Sequence, residues 1–260
     1  MSRTSKLLTT LLALAACAGT VLAGTAQAAQ PGYVALGDSY ASGTGTREYI
    51  DANCQRSAYA YASLVAPRIG ATLSFQACSG AKTQDVLNNQ VGALTADTKY
   101  VTVEIGGNDI GFADVIKQCA LPFKDCTGDI NDAENKIRTT LPGSLDAVYT
   151  QIHNRSPNAK VVVVGYPRLF NGQECNVLAR ISPQEQAQLN SGADLLDDTI
   201  KGRASAHGFA FLDVRSAFTG HAVCDNPEWI NGLSNPIGES YHPNRDGHAA
   251  MARLVQPALT

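Results

Sequence analysis

Short runs of β-branched and apolar residues alternate along the chain with longer segments that have helical spacing or composition. The short runs lie at residues 33–36, 73–76, 100–105, 160–164 and 209–214. The helical segments lie at residues 58–68, 109–118, 131–153, 183–207 and 245–257. Strands that are apolar throughout and alternate with helices are typical of a parallel sheet with both faces covered. The pattern therefore predicts one doubly wound α/β domain.

Local signals mark the ends of two predicted helices. Ser182 is a good N-cap, Pro183 suits the first helical turn, and Gly208 stands where a C-cap is expected. Asn244 can cap the final helix in the same way. Three long stretches without a regular pattern contain four cysteines and lie at residues 119–130, 165–182 and 215–243. Loops of this length in a compact domain are usually functional, so we expect them to be walls or lids.

The first residues have the pattern of a secretory signal peptide. Arg3 and Lys6 precede a mostly apolar run, and residues 26–28 have the small-x-small pattern of a signal peptidase site. We interpret residues 1–28 as a signal peptide and residues 29–260 as a single domain. An alternative is that residues 14–17 form the lipobox of a bacterial lipoprotein, which would attach a lipid to Cys17 and tether the protein to a membrane. The folded pattern begins just after residue 28, which favours cleavage there.

The charge balance and the cysteines narrow the range of partners and cofactors. Cleavage after residue 28 would remove two of the 20 basic residues and none of the 23 acidic ones. The remaining chain is acidic, and nothing in it indicates a nucleic acid or another polyanion as a partner. No two cysteines form a C-x-x-C pair and no histidine has ligand spacing to a cysteine, so we expect no metal site.

Six cysteines follow the leader, and an even number in an exported protein indicates disulfides. Six cysteines allow 15 connectivities. Loop geometry favours neighbours in sequence, since each pair then closes a loop at one end of the sheet. The predicted pairs are Cys54–Cys78, Cys119–Cys126 and Cys175–Cys224.

The candidate chemistry lies where the predicted strands end. In an open α/β sheet, ligands bind beyond the carboxyl ends of the strands. The sequences at these ends are Gly-Asp-Ser at 37–39, Ala-Cys-Ser-Gly at 77–80, Gly-Gly-Asn-Asp at 106–109, Gly-Tyr-Pro at 165–167 and, late in the chain, Glu-Ser-Tyr-His-Pro at 239–243.

These strand ends contain the groups that acyl transfer needs. A hydroxyl nucleophile needs a base within hydrogen-bond reach, and a tetrahedral intermediate needs donors directed at its oxyanion. Ser39 supplies the hydroxyl and His242 the base. The backbone amides of Ser39 and Gly80 and the side-chain amide of Asn108 can supply the donors. Each group alone also fits an ordinary turn or cap, so the prediction rests on their joint occurrence.

The remaining polar candidates have simpler interpretations. We interpret His153, His207 and His221 as surface or loop residues, and His248 as a residue of the last helix that packs or faces solvent. Asp38 is adjacent to Ser39, and we predict that its carboxylate bonds backbone amides of the corner and holds the loop.

The chain resembles the SGNH hydrolases, also called GDSL esterases and lipases. The four motif blocks of this family are matched by residues 37–40, by Gly80, by residues 106–109 and by the segment around His242. The resemblance is closest to the secreted bacterial lipases and phospholipases A1, which also have three disulfides. It implies a three-layer α/β/α flavodoxin-like fold with a five-stranded parallel sheet. It also implies Ser39 as nucleophile and oxyanion donor, Gly80 and Asn108 as further donors, His242 as general base, and no metal or organic cofactor.

The chain departs from the family pattern at one position. The family usually has an aspartate three residues before the histidine, and here that residue is Glu239. Some secreted members use a main-chain carbonyl to orient the imidazole. We therefore predict a Ser39–His242 dyad in which the carbonyl of Ser240 or of Glu239 holds Nδ1.

The resulting hypothesis is an extracellular carboxylic ester hydrolase that cleaves fatty acyl esters, including phospholipids. The alternatives are a carbohydrate or aryl esterase with a short acyl pocket and a non-catalytic binding module. The expected partners are an ester substrate and, transiently, a lipid surface, with the protein a monomer. No G-x-S-x-G elbow, Walker loop, G-x-G-x-x-G fingerprint after a strand or H-E-x-x-H motif occurs, so no motif supports an α/β-hydrolase, nucleotide or zinc enzyme.

Overall fold

The computed structural model of the 260-residue chain describes residues 30–121, 124–176, 178 and 180–260. The predicted signal peptide 1–28 and the alternative lipid-attachment residue Cys17 lie outside the described residues. No helix in the described ranges is long and apolar enough to span a bilayer.

Five parallel strands form one sheet in the order β2-β1-β3-β4-β5. Their bounds are β1 Gly32–Gly37, β2 Thr72–Phe75, β3 Thr98–Glu104, β4 Lys160–Val164 and β5 Ala210–Leu212. The central strands β1, β3 and β4 are rich in apolar and β-branched residues, and most of their side chains are buried because helices cover both faces. The predicted α/β fold with a five-stranded parallel sheet is confirmed.

Helices pack on both faces of the sheet. Their bounds are α1 Ser39–Ser42, α2 Tyr61–Arg68, α3 Thr83–Asp85, α4 Phe112–Cys119, α5 Thr127–Thr139, α6 Leu141–Arg155, α7 Pro183–Ala206 and α8 Arg245–Leu259, with a π-helical turn at Val86–Gln90 and 3₁₀ turns at Val91–Ala93, Arg215–Phe218 and Ile237–Glu239. Helix α2 packs against α8, whereas α5 and α6 pack against α7. The chain leaves β1 towards one edge of the sheet and later leaves β3 towards the other. The crevice beyond β1 and β3 is therefore the topological switch point, where ligands bind in such folds.

The structure differs from the predicted pattern in three places. The segment 131–153 is not one helix, because α5 ends at Thr139 and α6 begins at Leu141. Pro142 lies in the first turn of α6, where its missing N–H is tolerated, but it could not continue α5. Helix α5 also begins at Thr127, inside the stretch 119–130 that had no regular pattern. The helical turns over residues 83–93 were not predicted, since they consist of short pieces without an amphipathic repeat.

The predicted caps occur in the structure. Ser182 and Glu185 form a capping box at the start of α7. Asn244 accepts hydrogen bonds from the backbone N–H groups of Asp246 and Gly247 at the start of α8. Gly208 follows α7 with a φ of 72°, a conformation that glycine adopts without steric cost.

Three disulfides connect the loops, and they are the predicted neighbour pairs. They join Cys54 to Cys78, Cys119 to Cys126 and Cys175 to Cys224. The first links the segment after α1 to the segment after β2. The third links the segments after β4 and β5. Two of the three therefore connect loops that leave the carboxyl edge of the sheet.

Candidate active site

The predicted nucleophile, Ser39, lies at a sharp corner directly after β1. Gly37 has a φ of 138°, and a Cβ at this position would lie 2.3 Å from the carbonyl oxygen of Glu104, so only glycine allows the strands to approach here. Asp38 then caps α1, because its Oδ1 accepts a hydrogen bond from the Tyr40 N–H at 2.9 Å. Ser39 is therefore the first residue of α1, at the carboxyl edge of the sheet.

His242 lies against Ser39. Its Nε2 is 2.9 Å from Ser39 Oγ, and its Nδ1 is 2.9 Å from the carbonyl oxygen of Ser240. A carbonyl oxygen only accepts, so Nδ1 carries the proton and Nε2 is the acceptor for the Ser39 hydroxyl. Burial lowers the pKa of His242 to about 4, although the hydrogen bond to Ser240 partly opposes this shift. The imidazole is thus neutral and able to take a proton at neutral pH.

The side chain of Glu239 is directed to other partners. Its Oε1 accepts a hydrogen bond from the Tyr49 hydroxyl at 2.7 Å, and its Oε2 is 3.0 Å from Arg47 Nε. The Glu239 side chain is only 2% exposed, so these two partners compensate a buried charge. They join the segment after α1 to the segment that holds His242. The backbone carbonyl of Ser240, rather than Glu239, contacts Nδ1.

The two other predicted oxyanion donors lie in the loops after β2 and β3. Asn108 Nδ2 donates a hydrogen bond to the carbonyl oxygen of Ala81 at 3.0 Å, which links these loops and leaves a second N–H on the same amide. Asp109 accepts hydrogen bonds from the backbone and hydroxyl of Thr83 across the same gap. Gly80 has a φ of 82°, and no atom lies within 4 Å of where its Cβ would be. The Gly80 backbone therefore borders open space.

Two side chains that the sequence did not single out hold the corner before Ser39. Gln90 makes two hydrogen bonds with Gly37, accepting from its N–H at 2.8 Å and donating to its carbonyl at 2.9 Å. Tyr166, at the end of β4, donates its hydroxyl to Asp38 Oδ2 at 2.6 Å. The Gly-Tyr-Pro sequence at 165–167 marked a strand end, but no local pattern indicates which carboxylate a tyrosine will reach.

The carboxyl groups of Asp38 and Glu104 are buried next to the Gly37–Ser39 corner and have few hydrogen-bond partners. Asp38 is 1% exposed, and burial raises its pKa to about 7, although the hydrogen bonds from Tyr166 and Tyr40 oppose this shift. Glu104 is fully buried at the end of β3, where burial and the nearby Asp38 raise its pKa well above the usual range. Asp38 bonds a backbone amide of the corner, as predicted, and its second oxygen accepts from a tyrosine that was not predicted.

The remaining histidines have structural contacts away from Ser39. His153 is exposed on α6. His207 lies 3.0 Å from Asp146 Oδ1. His221 stacks on Trp229 with 3.6 Å between ring centroids. His248 is fully buried in α8, where its Nδ1 accepts from the Tyr61 N–H at 3.3 Å. Within the part of the chain that the structure describes, no cluster of His, Cys, Asp or Glu side chains could hold a metal ion.

A cavity of about 330 Å³ lies beside Tyr241, and neither Ser39 nor His242 is among the residues that line it. Its walls are the segments after β4 and β5, which the sequence left without a regular pattern. The disulfide Cys175–Cys224 joins these two walls. Tyr241, next to His242 in sequence, lines the cavity and packs on Phe170. The cavity therefore lies next to the segment that carries the imidazole.

A serine hydroxyl bonded to a neutral imidazole, at the ligand-binding edge of a parallel sheet, is the arrangement of a serine hydrolase. The model of the GDSL-like Lipase/Acylhydrolase family matches residues 35–250. The chain belongs to this family. It is therefore a serine-type hydrolase of carboxylic esters, and the predictions of family and of enzyme class are confirmed.

Similar proteins share nearly the whole chain. Lipase 1 of Streptomyces coelicolor is 46% identical over 92% of this chain and 91% of its own. The crystal structure of an extracellular lipase from Streptomyces rimosus is 41% identical with a TM-score of 0.82, and it covers 88% of this chain and 98% of its own. The crystal structure of phospholipase A1 from Streptomyces albidoflavus is 41% identical with a TM-score of 0.81, and it covers 89% of this chain and 98% of its own.

Proposed function

We propose that this protein is an extracellular lipase that hydrolyses fatty acyl esters, including those of phospholipids, through an acyl-enzyme on Ser39. The observation that carries the proposal is the 2.9 Å contact between Ser39 Oγ and His242 Nε2. The leader sequence and the three disulfides support secretion, because disulfides persist in oxidising compartments.

Acylation begins at the Ser39 hydroxyl. His242 Nε2 takes the hydroxyl proton as Ser39 Oγ attacks the ester carbonyl, and it then gives that proton to the departing alcohol. In the second half-reaction water attacks the acyl carbonyl and loses a proton to the same nitrogen. That proton then goes to Ser39 Oγ as its bond to the acyl carbon breaks and the fatty acid leaves. The Ser240 carbonyl keeps the proton on Nδ1, so that Nε2 faces the reacting atoms with its lone pair.

The oxyanion of each tetrahedral intermediate needs hydrogen-bond donors. We assign the backbone N–H of Ser39, the backbone N–H of Gly80 and the second Nδ2 hydrogen of Asn108 to this role. The contact of Asn108 with Ala81 supports the assignment, because it orients the amide before the substrate arrives. The open space beside Gly80 also supports it, because a carbonyl oxygen can approach there without meeting a Cβ.

Exposed apolar side chains favour a lipid over a carbohydrate substrate. Ile50, Leu178 and Ile237 are 69%, 76% and 75% exposed. They lie in the segments that follow β1, β4 and β5. A contiguous exposed apolar patch can mark a surface that meets lipid, and these three side chains are the candidates for such a patch. The lipase and phospholipase A1 relatives point the same way.

Chain-length dependence of hydrolysis tests the proposal. We would measure p-nitrophenyl esters with acyl chains of two to sixteen carbons, together with phosphatidylcholine. Ser39→Ala is the inactive variant, and Ser63→Ala, which removes a hydroxyl on α2, is the matched control. We expect activity on the long chains and on phosphatidylcholine, lost in Ser39→Ala and kept in Ser63→Ala. Activity on acetate alone would favour the carbohydrate or aryl esterase, and activity that survives in Ser39→Ala would overturn the mechanism.

A further inference from the structure

One buried hydroxyl connects the corner that carries Ser39 to the corner that carries Asn108. The Tyr166 hydroxyl donates to Asp38 Oδ2 at 2.6 Å and accepts from the Gly107 N–H at 3.2 Å. Asp38 and Gly107 each directly precede one of the two residues to which we assign roles at the reacting centre. The two corners belong to β1 and β3, which border the crevice at the switch point.

The surroundings leave Tyr166 little freedom. Its backbone N–H donates to Asp197 Oδ1 at 2.8 Å, and Asp197 is fully buried. The Tyr40 and Tyr166 rings pack nearly perpendicular to each other with 5.2 Å between centroids. A Cβ on Gly107 would be in van der Waals contact with Cζ and the hydroxyl oxygen of Tyr166, at 3.4 Å, so this backbone lies directly against the ring. The hydroxyl is therefore held in one place by backbone and by packing.

Tyr40 connects the Asp38 carboxylate to the segment that carries His242. Asp38 Oδ1 accepts from the Tyr40 N–H, and the Tyr40 hydroxyl donates to the carbonyl oxygen of Tyr241 at 2.5 Å. The Tyr40 ring lies 5.0 Å from the His242 ring. A shift of Asp38 would consequently move the nucleophile relative to both the amide donor and the imidazole.

We propose that Tyr166 is a positioning residue, which sets the distance between Ser39 Oγ and the Asn108 amide by holding Asp38 and Gly107 with one hydroxyl. This inference rests on the proposed roles of Ser39 and Asn108. Tyr166 does not touch the reacting atoms. Its effect is on the alignment of two groups that must act together on one carbonyl, where a misplacement of about 1 Å can reduce the rate about 100-fold.

Tyr33 provides a matched control for the loss of a buried hydroxyl. Its hydroxyl is 2.9 Å from Thr102 Oγ1, and its side chain is fully buried in β1 of the same sheet. Replacement of either tyrosine by phenylalanine keeps the ring and removes one hydroxyl from the interior. A purely structural role of Tyr166 would therefore give a variant that behaves like Tyr33→Phe.

The test compares Tyr166→Phe with Tyr33→Phe on p-nitrophenyl butyrate, with kcat referred to active sites titrated by a phosphonate ester. We expect kcat of Tyr166→Phe to fall about 10- to 100-fold with KM changed less than about threefold. Tyr33→Phe should keep kcat within about twofold while its thermal midpoint decreases. A Tyr166→Phe variant with the kcat of Tyr33→Phe overturns the inference.

The Asp38→Asn variant alters the acceptor of the Tyr166–Asp38 hydrogen bond instead of its donor. It tests the same inference if Tyr166→Phe does not fold. We expect a decrease in kcat similar to that of Tyr166→Phe, and a double variant no slower than the slower single variant, because both changes break one contact. Unchanged kcat in Asp38→Asn, or additive losses in the double variant, would contradict the inference. Activity in Ser39→Ala would instead overturn the proposed function, so the two failures are distinguishable.

Discussion

The Tyr49 hydroxyl lies 2.7 Å from Glu239 Oε1, and this contact turns the carboxylate of Glu239 to the segment after α1. The residue at the position of the family's orienting aspartate is thus part of a connection between two loops. Arg47 completes that connection through Glu239 Oε2 at 3.0 Å.

Glu239→Gln should therefore affect stability more than turnover. We expect kcat within about threefold of the wild type, since the Ser240 carbonyl still orients His242, and a loss of about 1–2 kcal/mol in the free energy of unfolding from the weakened contact with Arg47. Steady-state kinetics and urea unfolding measure the two quantities. A several-thousandfold decrease in kcat, the size seen when a triad acid is removed, would instead make Glu239 the orienting group.

Asn108→Ala should reduce kcat by about 100- to 1,000-fold, the effect of removing one oxyanion donor. Stability should change little, because the lost hydrogen bond to Ala81 is only partly buried. Asn88→Ala is the control, since Asn88 is an exposed asparagine in the helical turns after α3. A decrease of less than about threefold in Asn108→Ala would remove this residue from the proposed oxyanion site.

The activity should persist in acid until His242 is protonated. Only the neutral imidazole can accept the Ser39 proton, and burial lowers the pKa of His242 to about 4. Activity that depends on this base is present above that pH and is lost as the pH falls through it. A pH profile of kcat/KM on a soluble ester, with the fold monitored by circular dichroism, measures this limb. A final loss of activity centred near the ordinary histidine pKa of about 6.5 would contradict the assignment.

A separate, partial loss of kcat is expected as the pH falls through about 7, because burial raises the pKa of Asp38 to about 7. The ionisable groups that face it are Tyr40, Tyr166, Glu104 and Asp109, and the Asp109 carboxylate favours its protonated form. Protonation below about pH 7 weakens its hold on the corner, so kcat should fall partially there. The Asp38→Asn variant should lack this step and keep only the lower one. An upper step that persists in Asp38→Asn would assign it to another group.

The disulfides that close the longest and the shortest loop should differ in their contribution to the free energy of unfolding. Cys175–Cys224 closes a separation of 49 residues and Cys119–Cys126 one of seven. Because the entropy removed from the unfolded chain grows with loop length, the first pair should contribute about 1–2 kcal/mol more. Urea unfolding of the two double-alanine variants measures the difference. An equal or larger loss for the short loop would show that native-state contacts dominate over loop closure.

Local sequence patterns were sufficient to predict the helices and strands whose signals lie within a few neighbouring residues. The apolar run at 160–164 is β4, and Ser182 with Pro183 begins α7, because burial on both faces and capping are read from neighbouring positions. The error at 131–153 has the same origin. Both halves of that segment have helical spacing, and the local signal of the break is confined to Pro142 and Gly143.

The sequence by itself determined the class of fold, the family and the four segments that carry the candidate chemistry, since each depends on residue types at strand ends and on their order. Only the tertiary structure decided the partners of those residues. The direction of the Glu239 side chain, the contact of His242 with Ser39 and the connection of Asp38 to Gly107 through Tyr166 are long-range contacts. Their physical basis is the packing of distant segments at the switch point, which no local spacing encodes.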